Sequence, residues 1–147
     1  MSSLILSLHC ASTLALFGLI WFVQVVHYPL FSLVGREHFV EYERLHQMRT
    51  TWVVAPLMSI EALTASLILV SNLTSAERTL AWFGWVLLLL IWLSTAFLQV
   101  PLHRRLAAGY DSQTATRLVR SNWVRTIAWT VRGVIALMLM PPPVVPG

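Results

Sequence analysis

Charged residues and cysteine are scarce in this chain, and both shortages narrow the class of protein to which it can belong. Only 11% of its 147 residues are charged, whereas a soluble domain has about 25%. The single cysteine, Cys10, excludes an intrachain disulfide and a metal site built on paired thiolates. We expect Cys10 to pack as a small hydrophobic residue. The sequence also contains no phosphate-binding glycine loop, nucleotide motif or nucleophile triad of the soluble type.

Apolar residues are abundant instead, at 57% of the chain, with a mean hydropathy of +0.72. Four apolar stretches are each long enough for a helix to cross a bilayer, which needs about 20 residues. No strand-like alternation accompanies them, and backbone groups in lipid must be paired within a helix or a closed barrel. The sequence therefore predicts one domain over residues 1–147, an all-α integral membrane protein. Its four transmembrane helices are expected at about 4–26, 36–70, 80–100 and 115–140.

All ten basic residues are arginine, and eight of them lie in or beside the first and third connections between the helices. The positive-inside rule places these connections in the cytoplasm and both termini outside it. We therefore expect a multi-pass protein of the bacterial inner (plasma) membrane. The net charge of +4 follows from this topology, so no nucleic-acid partner is expected. The expected partners are membrane lipids, a lipophilic small molecule, and either a second copy of the chain or a larger membrane complex.

The ends of the helices carry recognisable turn and cap residues. Pro29 is expected to break the first helix, Gly35 to permit a turn, and residues 36–50 to form helix that merges into the second crossing. Ser75 is the predicted N-cap of the third helix. The C-terminal stretch "PPPVVPG" is predicted to be extended, because its prolines exclude a helix.

A weak internal repeat relates the two halves of the chain. "FVQVVHYPLFSLVG" resembles "FLQVPLHRRLAAG", which places Gln24 opposite Gln99, and "HQMRTTW" resembles "NWVRTIAW", which places Arg49 opposite Arg125. Two parallel helical hairpins would produce this pattern, and binding sites in such proteins often lie between the repeats. The alternative is coincidence between short apolar segments.

Histidine is concentrated at the predicted cytoplasmic end, where His27, His38, His46 and His103 should gather. Glu43 lies three residues before His46, on the same helix face. Imidazole is the commonest protein metal ligand, so the predicted ligands of one metal ion or a haem are His27, Glu43, His46 and His103. A di-iron site would need a second Glu-x-x-His pair, which is absent. The alternative is that these are ordinary interfacial residues in contact with water and headgroups. The fifth histidine, His9, is predicted to be isolated near the outer face.

A polar stripe follows the fourth helix, where Asn122, Arg125, Trp129 and Arg132 recur at spacings of three, four and three residues. These spacings place them on one helix face, which should point into the bundle. Glu61 lies at a depth similar to that of Arg132, so we predict that the two pair. The candidate catalytic residues are Asn122, Arg125, Arg132 and Glu61, and Trp129 is the candidate for stacking on a bound ring. Arg125 or Arg132 would bind an anionic or quinone-like oxygen. Alternatively, the pair only specifies helix packing.

Residues 100–132, "VPLHRRLAAGYDSQTATRLVRSNWVRTIAWTVR", resemble part of the anthrone-oxygenase-like family of small four-helix bacterial membrane proteins. The resemblance lies in Pro101, His103, Arg104 or Arg105, Leu106, Asn122, Trp123, Arg125 and Arg132. It implies an oxygenase that needs little or no cofactor and acts on an aromatic polyketide.

The N-terminal half resembles a second family, the membrane-embedded protoporphyrinogen oxidase type. The similar segments are "LHCASTLALFGLIWFVQVVHYPLF", "YERL" and "APLM". This resemblance implies that His9 contributes to a haem or porphyrin site. The chain has no lysine to match the one in that family's third helix.

Together these features predict a redox enzyme, oxygenase- or oxidase-like, that acts on a lipophilic substrate. Its metal or haem site would lie at the cytoplasmic end of the bundle, where Asn122 and Arg125 would orient the substrate. The alternative is a non-catalytic membrane subunit, or a lipid-binding structural protein, that packs against a larger complex.

Overall fold

The computed structural model describes residues 2–141, which form helices and no strand. The α-helices are α1 (Ser3–Phe22), α2 (Arg36–Leu69), α3 (Ser75–Ser94), α4 (Val100–Leu106) and α5 (Ser112–Met138). A π-helical turn (Val23–His27) and a 3₁₀ turn (Tyr28–Leu33) follow α1, and a second π-helical turn (Thr95–Gln99) joins α3 to α4. Residues 142–147, most of the predicted extended tail, lie outside the described residues.

The helices form a bundle in which α1 contacts both α2 and α5, while α3 packs closely on α5 and less extensively on α2. Three apolar clusters fill the interior from one end to the other, around Phe39, Trp129 and Ile68. The predicted all-α bundle with four long helical segments is therefore confirmed. The looser contact between α2 and α3 leaves the space in which the main cavity lies.

Three helical segments are long and apolar enough to cross a membrane: Ser3–Leu33, Arg36–Leu69 and Ser75–Leu106. Large apolar side chains cover the outside of the bundle, including Leu33, Trp52 and Phe97 at 78%, 77% and 72% exposure. Such an extended apolar surface is typical of contact with lipid or a partner protein. These findings support a membrane protein. A crossing by α5, the inner membrane and the orientation of the termini stay predictions.

Each π-helical turn lies just before a proline. A proline ring clashes with the carbonyl group four residues earlier, and for Pro29 and Pro101 those carbonyls belong to Val25 and Phe97, inside the two π-helical turns. We infer that the widened turns accommodate these clashes, since such bulges are a known cause of local helix distortion. The third helical segment consequently continues to Leu106, and the prediction that it ends at residue 100 is wrong.

The boundaries of α2 and α3 show one confirmed and one wrong prediction. Residues 36–50 merge with the second crossing into one continuous helix of 34 residues, as expected. The N-cap of α3 is Thr74, and the predicted cap, Ser75, is already helical. Thr74 and Glu77 form a capping box, because the backbone N–H of each residue donates to the other's side chain. The sequence-based choice failed because both residues are cap formers and only the reciprocal contact distinguishes them.

Candidate functional site

A cavity of about 330 Å³ lies between α1, α2, α5 and the third helical segment. Its walls are mainly apolar and include Leu16, Ile20 and Met58, while its polar lining includes His46, Gln99, His103 and Arg125. The rim carries Ala55 and Ser59 of α2 and Trp92 of α3, which are exposed on the outer surface of the bundle. The cavity therefore opens sideways between α2 and α3, on the surface that would face lipid.

Glu43 is the centre of the polar cluster beside this cavity. Its side chain is fully buried, and its Oε1 lies 2.5 Å from His103 Nδ1. Gln47 Nε2 donates to the same carboxylate oxygen at 3.1 Å and to the backbone oxygen of His103 at 3.0 Å. The second oxygen, Oε2, has no hydrogen-bond partner among residues 2–141. One oxygen of this buried carboxylate is therefore free to bind a further group, such as a metal ion.

The other members of the cluster are joined by contacts between rings. His46 Nδ1 is hydrogen-bonded to His27 Nε2 at 2.9 Å and lies 3.2 Å from the hydroxyl of Thr50. The Tyr28 hydroxyl is hydrogen-bonded to His103 Nε2 at 3.0 Å. His46 Nε2 has no hydrogen bond to any side chain or backbone group of residues 2–141. His46 is thus oriented by contacts at one ring nitrogen, whereas His103 is held at both, by Glu43 at Nδ1 and by Tyr28 at Nε2.

Three of the four predicted ligands form a group that could hold a metal ion. One potential ligand atom from each of Glu43, His46 and His103 lies within 4.8 Å of the other two. His27 stands outside this group and contacts it through His46. His38 was expected at the same interface, but its side chain is 82% exposed and lies beside Glu37. That part of the prediction is wrong, because His38 points away from the face that carries Glu43 and His46.

Arg125 and Trp129 bring the polar stripe of α5 to the cavity. The Arg125 guanidinium donates to the Thr95 hydroxyl at 3.3 Å, and its central carbon lies 5.5 Å from the centroid of the Trp129 ring. An arginine at this distance from an aromatic ring is in cation–π contact. Arg125 Nε is buried and has no partner among the described residues.

The predicted pair of Glu61 and Arg132 is confirmed, with Arg132 Nε donating to Glu61 Oε1 at 2.9 Å. Thr13 donates to the same oxygen at 2.9 Å and Trp129 Nε1 to the other at 3.1 Å. Arg132 also donates to the backbone oxygen of Gly84. Both charged groups are buried and neither lines the main cavity. The contacts join α1, α2, α3 and α5, so the pair holds the packing of the bundle.

Asn122 is fully buried and is bonded away from the cavity. Its Nδ2 donates to Gln24 Oε1 at 2.8 Å, and Gln24 Nε2 donates to the backbone oxygen of Val119 at 3.2 Å. These contacts join the π-helical turn after α1 to α5. Asn122 therefore faces the bundle interior, as predicted for the whole stripe, but does not line the cavity in which a substrate would lie.

His9 differs from its prediction as an isolated interfacial residue. It is only 6% exposed, and its Nδ1 lies 3.1 Å from the Thr64 hydroxyl. The space beside it and Arg132 measures about 10 Å³, which is about the room that one water molecule needs. The prediction is wrong because α1 and α2 pack tightly at this level. The space beside His9 and Arg132 is far too small for a porphyrin.

Several residues of the site were not predicted from sequence. Gln47 lies four residues after Glu43, a spacing that puts both on one helix face, so this contact could have been found. For Tyr28, the only signal in the sequence is its position next to His27. Gln24 and Gln99 were noted as corresponding residues of a repeat, but their contacts with α5 depend on tertiary packing.

Comparison with protein families, with curated proteins and with solved structures finds no match for this chain. The two family resemblances therefore stay predictions. What can be said of function depends on the chemistry of the cavity and of the cluster beside it.

Proposed function

We propose that this protein is a membrane-embedded, metal-dependent redox enzyme, oxygenase- or oxidase-like, that acts on a lipophilic molecule bound in the cavity. The observation that carries the proposal is the convergence of Glu43, His46 and His103 beside the cavity, which the two histidines line. Two histidines and one carboxylate are the ligand set of non-haem iron(II) oxygenases, in which positions stay open for other ligands. Iron(II) is accordingly the proposed ion.

The free atoms of the cluster support this ligand set. Glu43 Oε2 is buried without a partner, and His46 Nε2 has none of the hydrogen bonds found at Nδ1. Three ligands at about 2.1 Å on one face of an octahedral ion lie about 3.0 Å apart. One potential ligand atom of each residue already lies within 4.8 Å of the other two, so binding requires these atoms to close by up to about 2 Å. Rotation of the two imidazole rings can supply this movement.

The remaining polar neighbours have the arrangement expected around a metal site. A ligating histidine almost always bonds through its other ring nitrogen to a group that fixes its orientation. His27 contacts His46 Nδ1, Tyr28 contacts His103 Nε2, and Gln47 donates to Glu43. We therefore assign His27, which was predicted as a ligand, to the positioning of His46.

The cavity would supply substrate binding and exclusion of water. A bound iron(II) ion would supply activation of dioxygen, the oxidant implied by an oxygenase or oxidase. The apolar walls favour a lipophilic molecule, and the opening between α2 and α3 would admit it from the bilayer. Arg125 and Trp129 lie where they can contact its polar group.

Metal binding to the purified full-length protein tests the proposal. The chain is loaded anaerobically with iron(II), freed of excess ion and analysed for metal. We expect one ion per chain in the wild type and in His38→Ala, the matched control with an exposed histidine on the same helix. His46→Ala, His103→Ala and Glu43→Gln should lose the ion. His27→Ala should weaken binding by about 10–100-fold, the usual effect of losing an orienting partner.

Nitric oxide then tests whether the bound iron(II) has an open position. It binds such a centre and produces a characteristic EPR spectrum, which should appear in the wild type and be absent in His46→Ala. The same metal content in the wild type and the three ligand variants would refute the proposed site. Binding of zinc with rejection of iron(II) would remove the redox assignment, since His₂Glu sites also serve zinc hydrolases.

A second candidate function is lipid binding without chemistry, and the sideways opening of the cavity favours it. Under this alternative, a lipophilic molecule binds but iron(II) does not. Metal analysis and a ligand-binding measurement on the same preparation therefore distinguish the two functions.

A further inference from the structure

We propose that Arg125 binds the carboxylate of a single-chain lipophilic acid whose apolar part fills the cavity. The assignment rests on the proposed function, because it names the class of molecule that would lie beside the metal ion. It is supported by the charge balance of α5, by the surroundings of the guanidinium and by the volume and lining of the cavity.

The charge balance differs between two arginines that lie seven residues apart on the same face of α5. Arg132 has a carboxylate partner, Glu61, at 2.9 Å. No carboxylate of residues 2–141 lies within ion-pair distance of Arg125. An unpaired charge away from water is unfavourable, so such arginines generally face a partner or a ligand. The missing negative charge can come from a molecule in the cavity.

The protein groups around Arg125 orient its guanidinium without neutralising it. The Thr95 hydroxyl accepts one hydrogen bond, and the ring of Trp129 lies against the cation. Trp129 is itself held by its hydrogen bond to Glu61. An arginine held in this way presents a rigid fork of N–H donors, which matches the two oxygens of a carboxylate.

The cavity around this cation suits a molecule with one acidic group and one apolar chain. Its volume of about 330 Å³ is near the lower end of the range of about 300–1,000 Å³ for small-molecule sites. This room favours a single chain over a phospholipid with two. Leu16, Ile20 and Met58 would contact the chain, and the opening beside Ser59 leads to the lipid-facing surface. His46 and His103 line the same cavity, so the bound acid would lie beside the proposed metal ligands.

Binding of brominated dodecanoic acid to the full-length protein in an uncharged detergent tests the inference. Bromine quenches tryptophan fluorescence on contact, and Trp92 and Trp129 line the cavity. The protein is first treated with a chelator, so that binding of the acid is measured without metal. We expect saturable quenching that unlabelled dodecanoic acid reverses and that its methyl ester does not.

Substitutions of arginine separate the proposed contact from general charge effects. Arg125→Gln should weaken binding of the acid at least ten-fold, whereas Arg125→Lys should retain part of it. Arg120→Gln is the matched control, because it makes the same change at an exposed position of the same helix. Ser59→Phe provides a test that leaves the charge intact and adds no tryptophan, since it should obstruct the opening and slow or abolish quenching.

Equal binding of the acid and its ester, or wild-type affinity in folded Arg125→Gln, would overturn the inference. If Arg125→Gln does not fold, undiminished quenching in Ser59→Phe would overturn it instead. Tighter binding of dodecyl phosphate than of dodecanoic acid would assign the site to a phosphate and reject the carboxylate. Iron binding without acid binding would refute this inference alone, and acid binding without iron would refute the proposed enzyme while leaving the Arg125 site.

Discussion

Removing one member of the Glu61 and Arg132 pair should strongly destabilise the folded protein, because the other charge is then left buried without its partner. Both side chains are at most 2% exposed. The informative changes are Glu61→Gln, Arg132→Met and the double variant. Gln and Met preserve the approximate shape of each side chain, so cavity formation contributes little to the measured difference.

The structure predicts how the three variants rank in loss of stability. Breaking a buried pair from one side typically costs about 3–5 kcal/mol. Arg132→Met should lie near the lower end, because Glu61 still accepts hydrogen bonds from Thr13 and Trp129. Glu61→Gln should lie near the upper end, because Arg132 keeps its charge while only neutral acceptors, the Gly84 carbonyl and the glutamine oxygen, remain around it. The double variant removes both charges, so its cost should not exceed the larger single cost, well below a sum of about 8 kcal/mol.

Thermal unfolding of the purified protein in detergent, followed by circular dichroism, measures these differences. At about 2–4 °C per kcal/mol for chains of this size, the single variants should unfold about 6–20 °C below the wild type. Arg120→Met makes the same chemical change at an exposed position and should stay within about 0.5 kcal/mol of the wild type. A double variant whose cost equals the sum of the two single costs would refute the reasoning, since the charges would then be independent.

Two further predictions concern the helix caps. Thr74→Ala should destabilise the protein by about 1 kcal/mol in chemical unfolding, because it removes the capping box of α3, whereas Ser75→Ala should have a smaller effect. Hydrogen bonds from Thr114 hold the pKa of the Asp111 carboxyl, at the start of α5, below its usual value. The charged form therefore stabilises the folded state fully above about pH 4, and this contribution is lost as the pH falls through the lowered pKa. The difference in unfolding midpoint between the wild type and Asp111→Asn, which cannot titrate, should accordingly shrink as the pH falls below about 4.

The outcomes that contradict the cap predictions are equally specific. A larger loss in Ser75→Ala than in Thr74→Ala would place the cap one residue later than the structure does. A difference between wild type and Asp111→Asn that stays constant through acid pH would mean that the Asp111 carboxylate has the same pKa in the folded and unfolded chain.

The features predicted correctly from sequence depend on regular spacing along one helix. The spacing of Asn122, Arg125, Trp129 and Arg132 placed all four toward the interior, and the depth of Glu61 identified its partner. The spacing of three residues from Glu43 to His46 placed both on the face that meets His103. These predictions succeed because the rise and rotation per helical residue are nearly constant.

The predictions that failed depend on contacts between helices or on local distortion. His9 was expected to be isolated, but the approach of α1 to α2 buries it against Thr64. His38 was expected in the histidine cluster, but the rotation of α2 turns it outward. The third helix was predicted to end at residue 100, whereas the π-helical turn before Pro101 lets it continue to Leu106. None of these three outcomes follows from the spacing of residues within one segment.

The sequence by itself determined the helical class, the approximate positions of the long helical segments and the polar face of α5, because these follow from composition and helical periodicity. The similar depth of Glu61 and Arg132 also predicted their pairing. Only the tertiary structure showed that Arg125, on the same stripe, lies beside a cavity and has no carboxylate partner among residues 2–141. The reason is physical: periodicity orients a side chain relative to its own helix, whereas its partners depend on the positions and rotations of neighbouring helices.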